Sequence, residues 1–137
     1  MLANGAKLGY KEKGGSGTYT DLPGLKEIPD LGVDQEKVDN TCLTDDVKLY
    51  EAGIGDAGDI TYKFKYDNVA EDSPYRKMRE AQAAGKTLSF QETLSDGSIT
   101  TFDAQVSVKR TGGGVNGVIE FNLTMALQSG FSYTDPA

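Results

Sequence analysis

Hydrophobic and polar residues alternate along several parts of this chain, most clearly at residues 59–67. One set of alternate positions there is aliphatic or aromatic and the other is polar or charged: Ile60, Tyr62, Phe64 and Tyr66 against Thr61, Lys63, Lys65 and Asp67. Residues 86–94, 98–110 and 118–128 repeat the pattern. Because successive side chains of a strand point to opposite faces, these segments predict strands with one buried and one solvated face, with Phe64 in the core.

A short helix is predicted at residues 73–84. Ser73 suits the N-cap position, and Pro74 suits the first helical position, where its missing N–H costs nothing. Gly85 is a typical residue for the end of a helix. The outward face of this helix is basic and either meets acidic groups of a neighbouring subunit or faces solvent: Arg76, Lys77 and Arg79.

The first half of the chain predicts weaker elements. Pro23 and Pro29 exclude a long helix or a central strand from residues 19–32, so that segment is predicted to be an edge strand or an extended segment with a turn. Residues 35–43 predict a further strand. Residues 44–58 mix charge with glycine and predict a loop with a short ordered piece.

Together these elements predict a mainly β fold, an antiparallel β-sandwich or barrel with one flanking α-helix at about residues 73–84. Residues 19–128 are expected to form this domain. Residues 1–18 contain little apolar content and a glycine-rich end, and predict a flexible N-terminal arm in which Leu8–Lys11 becomes a strand if it finds a sheet edge. Residues 129–137 predict an exposed C-terminal arm.

The charge and residue types exclude several kinds of site. The formal net charge is −7, which disfavours recognition of DNA through a basic patch. The chain has no histidine, and this removes Ser/His and Cys/His dyads and histidine metal sites. Its carboxylate pairs lie in polar segments and are expected to be solvated: Asp45-Asp46 and Glu71-Asp72. No catalytic, cofactor-binding or metal-binding residue is therefore predicted, and the protein is not expected to be an enzyme.

Two glycine-containing segments resemble ligand-binding motifs but lack essential residues of those motifs. Asp56, Gly58 and Asp59 lack the alternating ligands and closing glutamate of a calcium loop. Residues 112–117 lack the Gly-Lys-Ser/Thr end of a phosphate-binding loop and predict a flexible hairpin loop. The lone Cys42 is expected to be small, partly buried and reduced, and no signal peptide or membrane span is predicted, which indicates folding in the cytoplasm.

Residues 19–67 resemble the tail tube (major tail) proteins of long, flexible-tailed bacteriophages and prophages. The resemblance rests on three stretches: Tyr19 to Gly32, Glu36 to Asp45, and Tyr50 to Ile60, which leads into the aromatic strand. It implies a structural virion protein that closes into hexameric rings, which stack into the tail tube through which DNA is ejected into the host. It implies contact with a tape-measure protein and with tail terminator and tail tip proteins, and passage of DNA without sequence-specific binding.

The sequence also indicates where such contacts would lie, and which other functions compete. Residues 1–18, 40–58 and 129–137 are expected to carry most inter-subunit contacts, because they combine glycine and charge outside clear strands. The main alternative is a small β-sandwich that binds a carbohydrate or protein ligand. A carboxylate-based hydrolase is a remote alternative, since no acid pair has apolar flanks.

Overall fold

The computed structural model describes residues 1–15 and 17–137. Within that part of the chain one helix, α1, follows six strands and precedes four more. The strands are β1 (Lys7–Glu12), β2 (Thr20–Asp21), β3 (Leu25–Glu27), β4 (Asp34–Asp39), β5 (Tyr50–Asp56), β6 (Ile60–Lys65), β7 (Thr87–Thr93), β8 (Ile99–Thr111), β9 (Glu120–Leu127) and β10 (Ser132–Thr134), and α1 spans Pro74–Ala84. The prediction of a mainly β protein with one helix is confirmed.

All the strand pairs are antiparallel, as predicted. The main sheet has the order β2-β1-β7-β8-β9-β6-β3, and β10 pairs with the start of β8. The 13-residue β8 is long enough to pair with β7 and β10 along its first half and with β9 along its second half. The short strands β4 and β5 form a separate two-stranded sheet.

The main sheet curls until its two edges nearly meet, but it does not close into a barrel. Its edge strands β2 and β3 are consecutive in the chain, and three residues join them. The N–H of Leu22 still bonds to Leu8 on the β1 side, and the carbonyl of Gly24 already accepts the N–H of Lys65 on the β6 side. Pro23 lies between these two hydrogen bonds and has no N–H to donate to either edge of the sheet.

The buried face of the curled sheet and one face of α1 form the core. Ile60, Tyr62 and Phe64 are fully buried, as the alternation predicted. Phe64 stacks on Phe121 of β9 with ring centroids 5.2 Å apart. The remaining core side chains come from all parts of the main sheet and the helix: Leu8, Leu22, Met78, Ala81, Leu88, Phe90, Phe102, Ala104, Val106, Leu123 and Met125.

The helix forms where the capping residues predicted it. Ser73 occupies the N-cap position, although its side chain makes no capping hydrogen bond, and Pro74 is the first helical residue. Gly85 ends the helix in the left-handed conformation, with φ of 65°. The side-chain oxygen of Gln82 accepts the backbone N–H of Val108 at 2.9 Å, which fixes α1 against β8.

Parts of both chain ends form strands. The strand expected at Leu8–Lys11 if a sheet edge is available forms at Lys7–Glu12 as β1, in register with β7, and it buries Leu8 completely. In the same way, Ser132–Thr134 pairs with β8 as β10. Both segments are short and have little apolar content, so their order depends on an available sheet edge that a local pattern does not contain.

The prediction of a loop at residues 44–58 is wrong for Tyr50–Asp56, which forms β5 and pairs with β4. Two glycines make this pairing possible. A Cβ atom at Gly55 would lie 2.9 Å from the side chain of Val33, and one at Gly53 would lie 3.2 Å from that of Val38. The glycines that predicted a loop therefore leave space in β5 for the side chains of Val33 and Val38.

Candidate assembly surfaces

Strands β4 and β5 form a hairpin that leaves many apolar side chains in solvent. We call residues 33–59 the hairpin. Its two strands pair with each other, apart from the main sheet. Ile54 is 91% exposed, and the other apolar side chains that reach solvent here are Val33, Val38, Leu43, Val47, Leu49 and Tyr50. An isolated two-stranded hairpin is marginally stable, and exposed apolar clusters mark interaction sites, so this surface is a candidate for contact with another molecule.

Short-range hydrogen bonds shape the tip of the hairpin. The Asp39 carboxylate accepts both the backbone N–H and the hydroxyl of Thr41, at 3.0 and 2.7 Å. The Asp45 carboxylate accepts the N–H of Cys42 at 2.7 Å. The hydrogen bonds from the hydroxyl and then the N–H of Thr41 hold the pKa of Asp39 below its ordinary value. The tip therefore keeps a defined turn while its apolar side chains remain in solvent.

The hairpin also carries most of the net charge of the chain. It contains eight of the 21 acidic residues and two of the 14 basic ones, a local net charge of −6. The rest of the chain, with 13 acidic and 12 basic residues, is nearly neutral. The acidic character inferred from composition is thus a property of one projecting element.

A basic surface lies where β6, β9 and β8 meet near the connection between β8 and β9. On the solvated face of the sheet, Asn122 of β9 pairs in register with Lys63 of β6 on one side and Lys109 of β8 on the other. In the next row, Lys65 pairs with Glu120. Lys26 forms an ion pair with Glu120, with its Nζ 2.6 Å from Oε2, and this contact holds the pKa of Glu120 below its ordinary value.

Exposed apolar side chains adjoin these lysines. The connection between β8 and β9 exposes Val115, Val118 and Ile119. We call this region, with Lys26, Lys63, Lys65, Lys109 and Arg110, the basic end. Glu27, Asp67 and Glu120 lie at or beside it, so cations outnumber carboxylates five to three. The Oδ1 atom of Asn122 is buried between the lysine positions without a hydrogen-bond partner among the described residues.

A cleft of about 700 Å³ separates the base of the hairpin from the main sheet. Its walls come from Val33 and Gly55 to Asp59 on the hairpin side, and from β8, β9 and Phe131 on the sheet side. Asp56 and Asp59 lie in this wall, and the Asp56 carboxylate accepts the N–H of Gly58 at 2.9 Å. The cleft contains no set of convergent catalytic groups among the residues that line it.

One buried polar contact crosses the core. The Tyr62 hydroxyl donates a 2.5 Å hydrogen bond to the Glu92 carboxylate, and both residues are 5% exposed or less. Burial raises the pKa of Glu92, although the hydrogen bond from Tyr62 opposes the shift, and burial also raises the pKa of Tyr62. Because the pair lies within the packed interior, it has a structural role in linking β6 to β7.

Most of the acidic groups considered from the sequence lie at the surface of the described chain. Asp46, Glu71 and Asp72 are exposed, and no group of three or more potential metal ligands occurs in the described part of the chain. On the basic helix face, Arg76 bonds within the chain to Asn68. No helix in residues 1–15 or 17–137 is long and apolar enough to cross a membrane.

The structure corrects the expectation for Cys42, which is exposed rather than partly buried. Its position in the hairpin tip explains this, because the hairpin has no core of its own. Residues 40–58 were expected to carry inter-subunit contacts because of their glycine and charge, and the exposed hydrophobic side chains were not part of that expectation. The sequence signal for this surface is a segment of 27 residues with eight acidic residues, among which aliphatic residues occur singly.

One family model and several solved structures match this chain. The family model described as "Phage tail tube, TTP, lambda-like" matches residues 1–126. No curated protein matches the chain in sequence. Among solved structures, a chain in the C6-symmetric tail of an empty GTA particle is 22% identical, with a TM-score of 0.73 over 98% of this chain and 100% of that one.

Two further structures share the fold. A chain in the virion of a native gene transfer agent particle is 19% identical, with a TM-score of 0.72 over 98% of this chain and 99% of that one. A chain in the baseplate of the anti-feeding prophage is 11% identical, with a TM-score of 0.61 over 98% and 95% of the two chains. With the family match over residues 1–126, the protein belongs to the lambda-like phage tail tube family and is a structural component of a virion tail.

Proposed function

We propose that the protein closes into hexameric rings, which stack into a tail tube that conducts DNA into the host. The observation that carries this proposal is the hairpin, with its exposed apolar side chains and its net charge of −6. A monomer would keep that apolar surface in water, whereas an assembly would bury it. The six-fold symmetry of the similar GTA tail supports a ring of six.

The exposed hairpin also gives a physical reason for assembly. Burying apolar surface stabilises a contact by about 25 cal/mol per Å². Two-stranded hairpins of this kind gain most of their stability from packing against another element. A neighbouring subunit would supply that element and would order the hairpin at the moment of assembly.

The role is structural and not catalytic. DNA would pass through the lumen without sequence-specific binding, since outside the hairpin the 12 basic residues are balanced by 13 acidic ones and leave no net attraction for phosphate. A tape-measure protein would set the length of the stack, and tail terminator and tail tip proteins would close its two ends. Production would take place in the cytoplasm of the bacterial host, before assembly into virions.

Electron microscopy of the purified protein in negative stain tests this proposal. We expect rings or tubes at high protein concentration. A protein that stays monomeric at all concentrations, and binds a carbohydrate or protein ligand, would favour the alternative of a small binding module. Hydrogen exchange adds a residue-level test, since residues 1–18, 40–58 and 129–137 should gain protection on assembly. Equal protection of these segments in monomer and tube would contradict their assignment as contacts.

A further inference from the structure

The chain contains two Asn-Gly dipeptides, Asn4-Gly5 and Asn116-Gly117, and all four residues are exposed. In such a dipeptide the backbone nitrogen of glycine can attack the side-chain amide of asparagine, because glycine has no Cβ to obstruct its nitrogen. The attack requires a nitrogen that is free of other bonds and can turn toward the Cγ atom of asparagine. Since the two dipeptides are chemically identical, their surroundings decide which of them reacts.

Asn4 and Gly5 are the two central residues of a turn. The N–H of Ala6 donates to the carbonyl of Ala3 at 3.0 Å, and Gly5 has the positive φ, 95°, that suits the third position of a type II turn. The hydrogen bond of this turn uses the N–H of Ala6, and the N–H of Gly5 donates to no backbone group of the described chain. A Cβ atom at Gly5 would meet one atom within 4 Å, the Cβ of Ser95 at 3.3 Å. The nucleophilic nitrogen is therefore free and has space around it.

The second dipeptide lies one position later in its turn, so that its glycine is the hydrogen-bond donor. The N–H of Gly117 donates to the carbonyl of Gly114 at 3.0 Å. The loop also closes tightly around this residue, because a Cβ atom at Gly117 would lie 3.1 Å from the nitrogen of Gly114 and 3.2 Å from the carbonyl oxygen of Gly112. Attack on Asn116 must therefore break a hydrogen bond and displace backbone atoms, whereas attack on Asn4 meets neither obstacle.

We propose that Asn4 is a site of spontaneous deamidation in the folded protein, and that the fold protects Asn116 from the same reaction. This inference goes beyond the proposed function and does not depend on it. Each event replaces a neutral amide by a carboxylate and so adds one negative charge to a chain whose net charge is −7. The new carboxylate lies shortly before β1, in the turn that precedes Lys7.

The reaction needs only water. The nitrogen of Gly5 loses its proton to solvent and forms a bond to Cγ of Asn4, the bond between Cγ and the side-chain nitrogen breaks, and ammonia leaves with the proton. The product is a five-membered succinimide. Water then adds to one of the two ring carbonyls and breaks its bond to the ring nitrogen. Opening at the side-chain carbonyl gives aspartate, and opening at the main-chain carbonyl gives isoaspartate, in which the backbone runs through the former side chain.

Peptide mass spectrometry of the full chain tests the proposal. The protein is incubated at low concentration, before any assembly, at mildly alkaline pH, which favours loss of the proton from the glycine nitrogen. Trypsin then separates the two sites into peptides 1–7 and 111–137, and the exchange of an amino group for a hydroxyl is followed in each. Labelling with an isoaspartate methyltransferase identifies the isoaspartate product. The same chain unfolded in urea gives the intrinsic rate at each site, and Asn4→Gln is the control variant, because glutamine would have to form a less favourable six-membered ring.

We expect Asn4 to convert roughly tenfold faster than Asn116 in the folded protein, since one hydrogen bond must break at the slower site. In urea the two rates should converge, because the turns are lost. Asn4→Gln should stay unchanged in peptide 1–7 and should lack the early gain of negative charge on ion exchange. The inference is overturned if folded Asn116 converts as fast as Asn4, or if folded Asn4 stays intact over a period in which the unfolded chain converts there.

Discussion

Replacing Tyr62 with phenylalanine tests whether the Tyr62–Glu92 contact holds the curled sheet together. Tyr62 lies on β6 and Glu92 on β7, and these strands are not neighbours in the sheet order. Their hydrogen bond therefore spans the interior between two parts of the curled sheet. Tyr62→Phe keeps the ring and removes the hydroxyl, so that Glu92 remains buried without its donor.

The expected loss of stability is about 1–3 kcal/mol, the usual cost of a buried polar group that loses its hydrogen-bond partner. For a chain of this length, that corresponds to a fall in Tm of roughly 3–12 °C. Thermal unfolding followed by circular dichroism measures it. The matched variant Glu92→Gln keeps an acceptor for the Tyr62 hydroxyl and removes the ionisable group. Its loss of stability at acidic pH should therefore be much smaller than that of Tyr62→Phe.

The pH dependence of stability separates the charge of Glu92 from its packing. Burial raises the pKa of folded Glu92 above its ordinary value of 4.5. A group with a raised pKa contributes its full stability below the unfolded pKa and loses it as the pH rises through the folded pKa. The wild type should therefore lose stability from about pH 4.5 upward relative to Glu92→Gln. Tyr62→Phe should extend this loss to higher pH, because it removes the hydrogen bond that lowers the pKa of Glu92.

Two results would refute this reasoning. Tyr62→Phe could melt at the wild-type temperature at neutral pH, which would mean that Glu92 has other partners or is hydrated. Alternatively, the stability difference between the wild type and Glu92→Gln could be the same at pH 4 and pH 8, which would mean that Glu92 does not titrate differently in the folded and unfolded states. A double-mutant cycle between the two positions would measure their coupling directly.

Three further predictions concern packing, backbone and exposure. Phe64→Ala should cost about 3–5 kcal/mol in a thermal or denaturant melt, since the fully buried ring stacks on Phe121, and an unchanged melt would contradict the strand assignment. Gly112→Ala should cost at least about 1–3 kcal/mol, because φ is +88° and a Cβ would lie 2.0 Å from the Val118 carbonyl oxygen, whereas Gly113→Ala, with open space around it, should be neutral. Cys42 should react with a thiol reagent rapidly in the monomer and slowly in assembled tubes, and equal rates would argue against burial of the hairpin tip.

The sequence predicted those elements that are determined by residues close together in the chain. The alternation at residues 59–67 and the capping residues around Pro74 each place enough information in one segment to define a strand or a helix. The alternation at residues 86–94 also indicates a carboxylate in the core, because Glu92 shares the face of Leu88 and Phe90. Its partner Tyr62 lies 30 residues away in the chain, so the alternation does not indicate the pairing.

Pairings between distant segments could not be predicted in this way. Strand β1 is ordered by β7, which lies about 80 residues further along the chain. In β5, the role of Gly53 and Gly55 depends on the side chains of Val38 and Val33, which pack against them. The approach of β2 and β3 across Pro23 likewise depends on how far the whole sheet curls. Each of these features is set by register and curvature, which a window of sequence does not contain.

The concentration of charge in the hairpin has a consequence for the symmetry of assembly. Two hairpins that met face to face would bury apolar surface, but they would bring a net charge of −6 against another of −6. Such an isologous contact would close a dimer with two-fold symmetry and stop growth. Like-charge repulsion disfavours that contact. The charge of the hairpin therefore disfavours its contact with the hairpin of a second copy, and this argues against a closed two-fold pair.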